Sequence, residues 1–164
     1  MAFEYEQVEN DIIARLTAKM PVGYAVMQMP ESEEGFNNGL EDTLILVCYS
    51  DSVFDPPSST DIIQQYETLT VLCNLKSSRL RGDSSIQQAF GLLKKYLQGF
   101  KPGNVNKLFL DKIEFVQRDK ENNFWEYNIA FKGKKLQLEV VEEEELPLLK
   151  NVTFNDQYEA PQFY

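Results

Sequence analysis

The sequence predicts an α+β fold: a largely antiparallel sheet with two helices packed on one side, in the order α-β-β-β-α-β-β-β. Apolar residues recur at helical spacing in two places, around residues 8–20 and 86–97. Elsewhere the chain carries apolar or alternating runs of strand length. These strands come in runs and do not alternate one by one with helices, which favours antiparallel pairing.

The first helix is read from "EYEQVENDIIARLTAKMP". Val8, Ile12, Leu16 and Met20 stand four residues apart, Ile13 widens the stripe, and Pro21 stops it. Glu4 and Glu6 near its start and Lys19 near its end suit the helix dipole. "GYAVMQM" is a short strand, and Pro30 to Asp42 is a polar, exposed connection. "TLILVCY", Thr43 to Tyr49, is unbroken apolar sequence, as in a strand covered on both faces. Ser50 to Thr60 holds two prolines and is expected to be a loop with Phe54 exposed. In "DIIQQYETLTVLCNLKS" Leu69, Val71, Cys73 and Leu75 alternate with Thr68, Thr70 and Asn74, a long strand whose polar first half extends beyond the core.

The second helix has Ser84 as its expected cap, with Gln87 completing a capping box. Ile86, Phe90, Leu93 and Leu97 form its stripe; Gly99 is a left-handed stop and Pro102 prevents continuation. Three strands follow. "KLFLDKIEFVQ" puts Phe109, Ile113 and Phe115 on one face, and Arg118 to Asn123 is a turn. "FWEYNIAFK" puts Trp125, Tyr127, Ile129 and Phe131 on one side, where core packing suits the aromatics better than base stacking. A tight turn at "KGK" then leads into "KLQLEV". Residues 1–140 are therefore expected to form one α+β domain. Residues 141–164 carry four consecutive Glu and scattered aromatics; the charge block by itself suits a solvated tail, and the apolar content suits an extension that docks on something.

Composition removes whole classes of chemistry. There is no histidine, so Ser-His and Cys-His catalysis are excluded. Cys48 and Cys73 lie in apolar runs and are expected to be buried reduced thiols; two cysteines without histidine cannot supply four metal ligands. Asp111, Lys112 and Glu114 could begin a carboxylate metal site, but Asp111 and Glu114 would point to opposite faces of a regular strand. "GFNNG" and "RGDSS" lack the spacing and lysine of a phosphate loop. Arg81-Gly82-Asp83 precedes a helix and is read as turn and cap chemistry. No catalytic, cofactor-binding or metal-binding residue and no cofactor is expected. The acidic N-terminus lacks the basic and apolar regions of a signal peptide, and no apolar run reaches the roughly 18 residues of a membrane span. A soluble protein made in a cytoplasm, without membrane contact, is expected.

The net charge is −10, unevenly spread. Residues 21–75 hold nine acids and no Lys or Arg, whereas residues 76–135 hold thirteen bases against six acids. Residues 136–164 return to seven acids and Lys150. A nucleic-acid duplex would be repelled by most of such a molecule. Segregated blocks of opposite sign leave two readings open: solvated faces balanced within one fold, or contact between identical copies, a head-to-tail contact that closes into a ring if the rotation allows.

The run from the long strand through "KSSRLRGDSSIQQAFGLLKKYLQGFKP" to "FWEYNIAF", with the helix "VENDIIARLTAKM", resembles the tail-terminator family of contractile-tailed phages related to phage Mu, over roughly residues 4–140. The resemblance implies a non-enzymatic virion protein, assembled in the bacterial cytoplasm. It would form a hexameric ring that caps the finished tail tube, stops its polymerisation and offers a surface to the head-completion (neck) protein. The implied partners are other copies of the chain, the tail tube protein, the last sheath ring and the neck, with DNA only as cargo in the lumen. Alternatives left open are another neck or baseplate component and a non-phage adaptor. The acidic loop at 30–42 and the C-terminal extension depart from the family pattern. Expected interface residues are Arg79 and Arg81 at the strand-to-helix corner, the exposed Phe54, and Leu149, Phe154, Tyr158, Phe163 and Tyr164 of the extension.

Overall fold

The computed structural model describes residues 2–32 and 42–140. Two helices, α1 (Glu4–Lys19) and α2 (Ile86–Leu97), accompany five strands: β1 (Tyr24–Gln28), β2 (Thr43–Phe54), β3 (Gln64–Ser77), β4 (Phe109–Asp119) and β5 (Phe124–Leu138). The strands form one sheet in the order β1-β2-β3-β5-β4. All neighbours are antiparallel except β1 and β2, which run parallel. The α+β class and the helix positions agree with the sequence; the strand count does not.

Both helices lie on one face of the sheet. Val8, Ile12 and Leu16 of α1 and Ile86, Ala89, Leu93 and Leu97 of α2 are buried, as their spacing demands. Beneath them lie Ile45 and Val47 of β2, the odd-numbered residues Leu69 to Leu75 of β3, and Ile129 and Phe131 of β5. Trp125 and Tyr127 pack at the margin of this core, half-buried, and Phe115 meets both rings. Each fully buried Leu, Ile or Phe is worth about 1.5–3 kcal/mol of transfer free energy, so this face dominates the fold's stability.

Among the described residues the expected sixth strand is not separate, because the turn at "KGK" is not made. β5 runs unbroken from Phe124 to Leu138, and Gly133 sits within it. The glycine answers a packing need. A Cβ there would lie 2.5 Å from a methyl of Val105 and 3.0 Å from one of Leu108, both buried. Gly133→Ala is expected to destabilise by about 1–3 kcal/mol through overpacking, read as a lowered urea midpoint at unchanged slope.

Three further corrections follow, two to strand geometry and one to a helix cap. Ser50 to Phe54 is strand and not loop: the register slips between Tyr49 and Asp51, and pairing with β3 resumes before the prolines. Phe109 does not share a face with Ile113 and Phe115, since the register shifts between Leu110 and Lys112, and Leu110 packs against the core with Ile113. The cap of α2 is Ser85, not Ser84. Ser85 Oγ accepts the Gln88 N–H at 3.1 Å, and Gln88 accepts the Ser84 N–H at 2.7 Å. Ser84 instead turns with φ of 55°, its carbonyl taking a 2.5 Å bond from the Thr43 hydroxyl. Gly99 adopts a left-handed φ of 85° just past α2, as expected.

Candidate assembly surface

The layout of the sheet converts the charge blocks into geometry. The base-free segment 21–75 builds β1, β2 and β3, one half of the sheet. The basic segment 76–135 supplies α2, β4 and nearly all of β5, the other half. Charge segregation along the chain thus becomes separation across the molecule, towards opposite sheet edges.

Ion pairing within the chain leaves that separation in place. Among the described residues three pairs form: Lys112 with Glu114 at 3.0 Å, Lys132 with Asp111 at 3.6 Å, and Lys135 with Glu4. The first two stay inside the basic segment. Arg79, Arg81, Lys94, Lys101 and Lys107 are exposed and join no ion pair among the described residues. Of the acids in 21–75, Glu31, Asp42, Asp51, Asp55 and Asp61 are exposed and join none there either.

The corner that carries Arg79 and Arg81 is held rigidly. Arg79 gives its N–H to Ser77 Oγ at 3.0 Å and its carbonyl accepts from Ile86 N–H at 3.0 Å. Leu80 accepts from Gln87 N–H at 3.1 Å, and Ser85 Oγ donates to the Gly82 carbonyl at 2.7 Å. Gly82 turns with φ of 92°, as a turn residue. Every anchor is backbone or hydroxyl, so both guanidinium groups project from a fixed frame into solvent. A planar fork on a rigid base suits a carboxylate or carbonyl on a neighbouring surface.

Phe54 is exposed as expected, at the end of β2 and on the helix side of the sheet. Leu149, Phe154, Tyr158, Phe163 and Tyr164 lie outside the described residues, as does 33–41 of the acidic loop.

The Asp111–Glu114 cluster behaves differently from expectation. Because of the bulge, Asp111, Lys112 and Glu114 line one depression of about 270 Å³ on the helix-free face, with Asp51 and Lys132. Lys132 holds Asp111 and Lys112 holds Glu114, and the bond to Glu114 raises the Lys112 pKa above its ordinary value. Among the described residues no group of three His, Cys, Asp or Glu is placed to hold a metal. Cys48 is half-buried on the helix-free face and Cys73 fully buried on the core face; both are free, and burial pushes the Cys73 thiol up to about 12. No described helix is long and apolar enough to cross a membrane.

One buried group escaped the sequence reading. Glu67 is inaccessible to solvent and accepts from Tyr5 OH at 2.5 Å, Ser52 Oγ at 2.8 Å and Gln137 Nε2 at 2.8 Å. Its signal was the parity it shares with Leu69 and Val71, which puts it on the core side of β3. The site ties the first turn of α1 to three strands, and Tyr5 stacks on Tyr49 with ring centroids 4.2 Å apart.

Comparison with known proteins adds a family. A family model described as "Gp37 protein" matches residues 12–158. The chain belongs to the Gp37 family. No curated protein matches this Gp37-family chain. Among solved structures, a chain from the virion of a native gene transfer agent particle is similar to it with a TM-score of 0.48 and 9% identity, covering 79% of this chain and 94% of that one.

Proposed function

We propose that this Gp37-family chain is a phage-type virion structural protein, and more finely a tail terminator. In this role copies join side by side into a ring that caps the tail tube, halts its growth and presents a joining surface to the neck. The fold class implied by the tail-terminator resemblance is the one observed, and the Gp37 match spans most of the same residues. The observation that carries the proposal is the pair of opposed surfaces: bases around α2 and acids on the β1–β3 half, both unneutralised among the described residues. Contact between the two on adjacent copies is heterologous, and six-fold rotation closes it. Arg79, Arg81 and Phe54 are the described residues assigned to that contact or to the tube. The reaction-free chemistry of such a role needs no cofactor; tube, sheath and neck proteins are the partners, and DNA passes only as cargo.

The test is direct. Added to purified tail tubes during polymerisation, the protein is expected to bind one end and narrow the length distribution; unchanged lengths would refute the terminator role. Mass in solution is expected to rise towards the hexamer at low salt, with or without tubes present, and fall as salt screens the contact.

A further inference from the structure

We propose that the helix-free face at the far end of β2, β3 and β5 is the docking site for the chain's own C-terminal segment, residues 141–164. Here Val53, Tyr66, Leu136 and Leu138 are 63%, 48%, 39% and 59% exposed. Strand register puts them on one surface: Tyr66 lies opposite Leu136, Leu138 opposite Gln64, and Val53 opposite Thr68, all on the side of the sheet away from the helices. Next along β5 on this face stands Lys134, exposed and in no ion pair among the described residues, so a positive charge borders the apolar patch; Lys132 beyond it is already held by Asp111. Contiguous apolar surface of this kind marks a contact site in soluble proteins.

The segment after Val140 has the matching chemistry with the charge inverted. Glu142 to Glu145 are consecutive, and Leu146, Leu148, Leu149, Val152 and Phe154 follow. The described chain ends at Val140, two residues beyond Leu138 of the patch, and the 24 residues that follow, at about 3.3 Å each, outreach the patch several times over. Tethering gives it an effective concentration of order millimolar, which favours it over the same segment of a second copy. The inference stands on the single chain and is independent of ring formation.

Trypsin tests it, because Lys150 lies inside the segment. In the full-length protein, cleavage after Lys150 is expected to be slow, and to stay slow over about a hundredfold dilution. Leu136→Ser with Leu138→Ser is expected to speed it about tenfold or more, since cleavage tracks the undocked population. Lys134→Glu, at an exposed position that leaves the apolar core intact, is expected to speed it in the same direction. Cleavage as fast as in a free 141–164 peptide would overturn the proposal, as would protection that survives all these substitutions. Protection lost on dilution would overturn it too, assigning the face to a second copy.

Discussion

Glu67→Ala is expected to lower the unfolding free energy by about 3 kcal/mol and the melting temperature by about 6–12 °C. Three donors, from Tyr5, Ser52 and Gln137, converge on this inaccessible carboxylate. Hydrogen bonds to a charged acceptor exceed neutral ones, and removing the acceptor leaves its donors to find water at the margin of the core. Glu67→Gln keeps the volume but turns an amide N–H towards donors, and about half the loss is expected. A pH arm separates this site from generic packing. The bond to Glu67 is the main reason Tyr5 is pushed up to about 12. A raised phenol pKa means the folded state favours the neutral form, so its contribution is complete below pH 10 and is lost as pH rises through about 12. Burial pushes Tyr24 up to about 12 as well. The measurement is therefore the difference between the parent and Tyr5→Phe in unfolding midpoint across that range. A parallel pH profile for the two proteins would show that Tyr5 and Glu67 are not coupled.

The helices were legible because their faces are set by spacing alone: Val8, Ile12 and Leu16 bury whatever lies across from them. Strand ends were not, because they depend on neighbours. A glycine flanked by lysines reads as a turn until Val105 and Leu108 are seen to need the space above Gly133. Ser50 to Phe54 reads as loop because a bulge after Tyr49 breaks the alternation, while the β3 partner that restores pairing is remote in sequence. The same blindness misplaced Asp111 and Glu114: period-two reasoning sends residues three apart to opposite faces, and one extra residue reverses the answer. Ser84 and Ser85 are equivalent as letters; only the approach of Gly23, whose added Cβ would lie 2.2 Å from Ser84 Oγ, and of Thr43 distinguishes them.

At the assembly surface the charge blocks and the arginine corner were legible, and the sheet order was not. Nothing local says that β5 inserts between β3 and β4. That insertion keeps the acid-rich strands together on one flank. Had β4 and β5 straddled β1, acids and bases would have interleaved and neutralised each other within the subunit.

Arg79→Glu with Arg81→Glu is expected to weaken self-association at low salt by about a hundredfold or more while leaving the fold intact. Stability is spared because both side chains are exposed and neither guanidinium bonds to a described residue; the corner's anchors are the Arg79 backbone, Ser77 and Ser85. Association suffers twice. Two attractive contacts become repulsive, and the long-range field that steers a basic flank towards an acidic one is cut by four charges per copy. The defect is expected to shrink at high salt, where the Debye length falls to about 3 Å at 1 M and the parent also dissociates. Arg79→Lys with Arg81→Lys separates the two contributions: encounter rates are retained, while a bidentate contact with a carboxylate is lost and dissociation quickens. Sedimentation of the three proteins at two salt concentrations, with thermal melts as the control for folding, decides the matter. Equal assembly by the glutamate variant would remove the corner from the interface and leave the lysines at the other end of α2 as the basic partner.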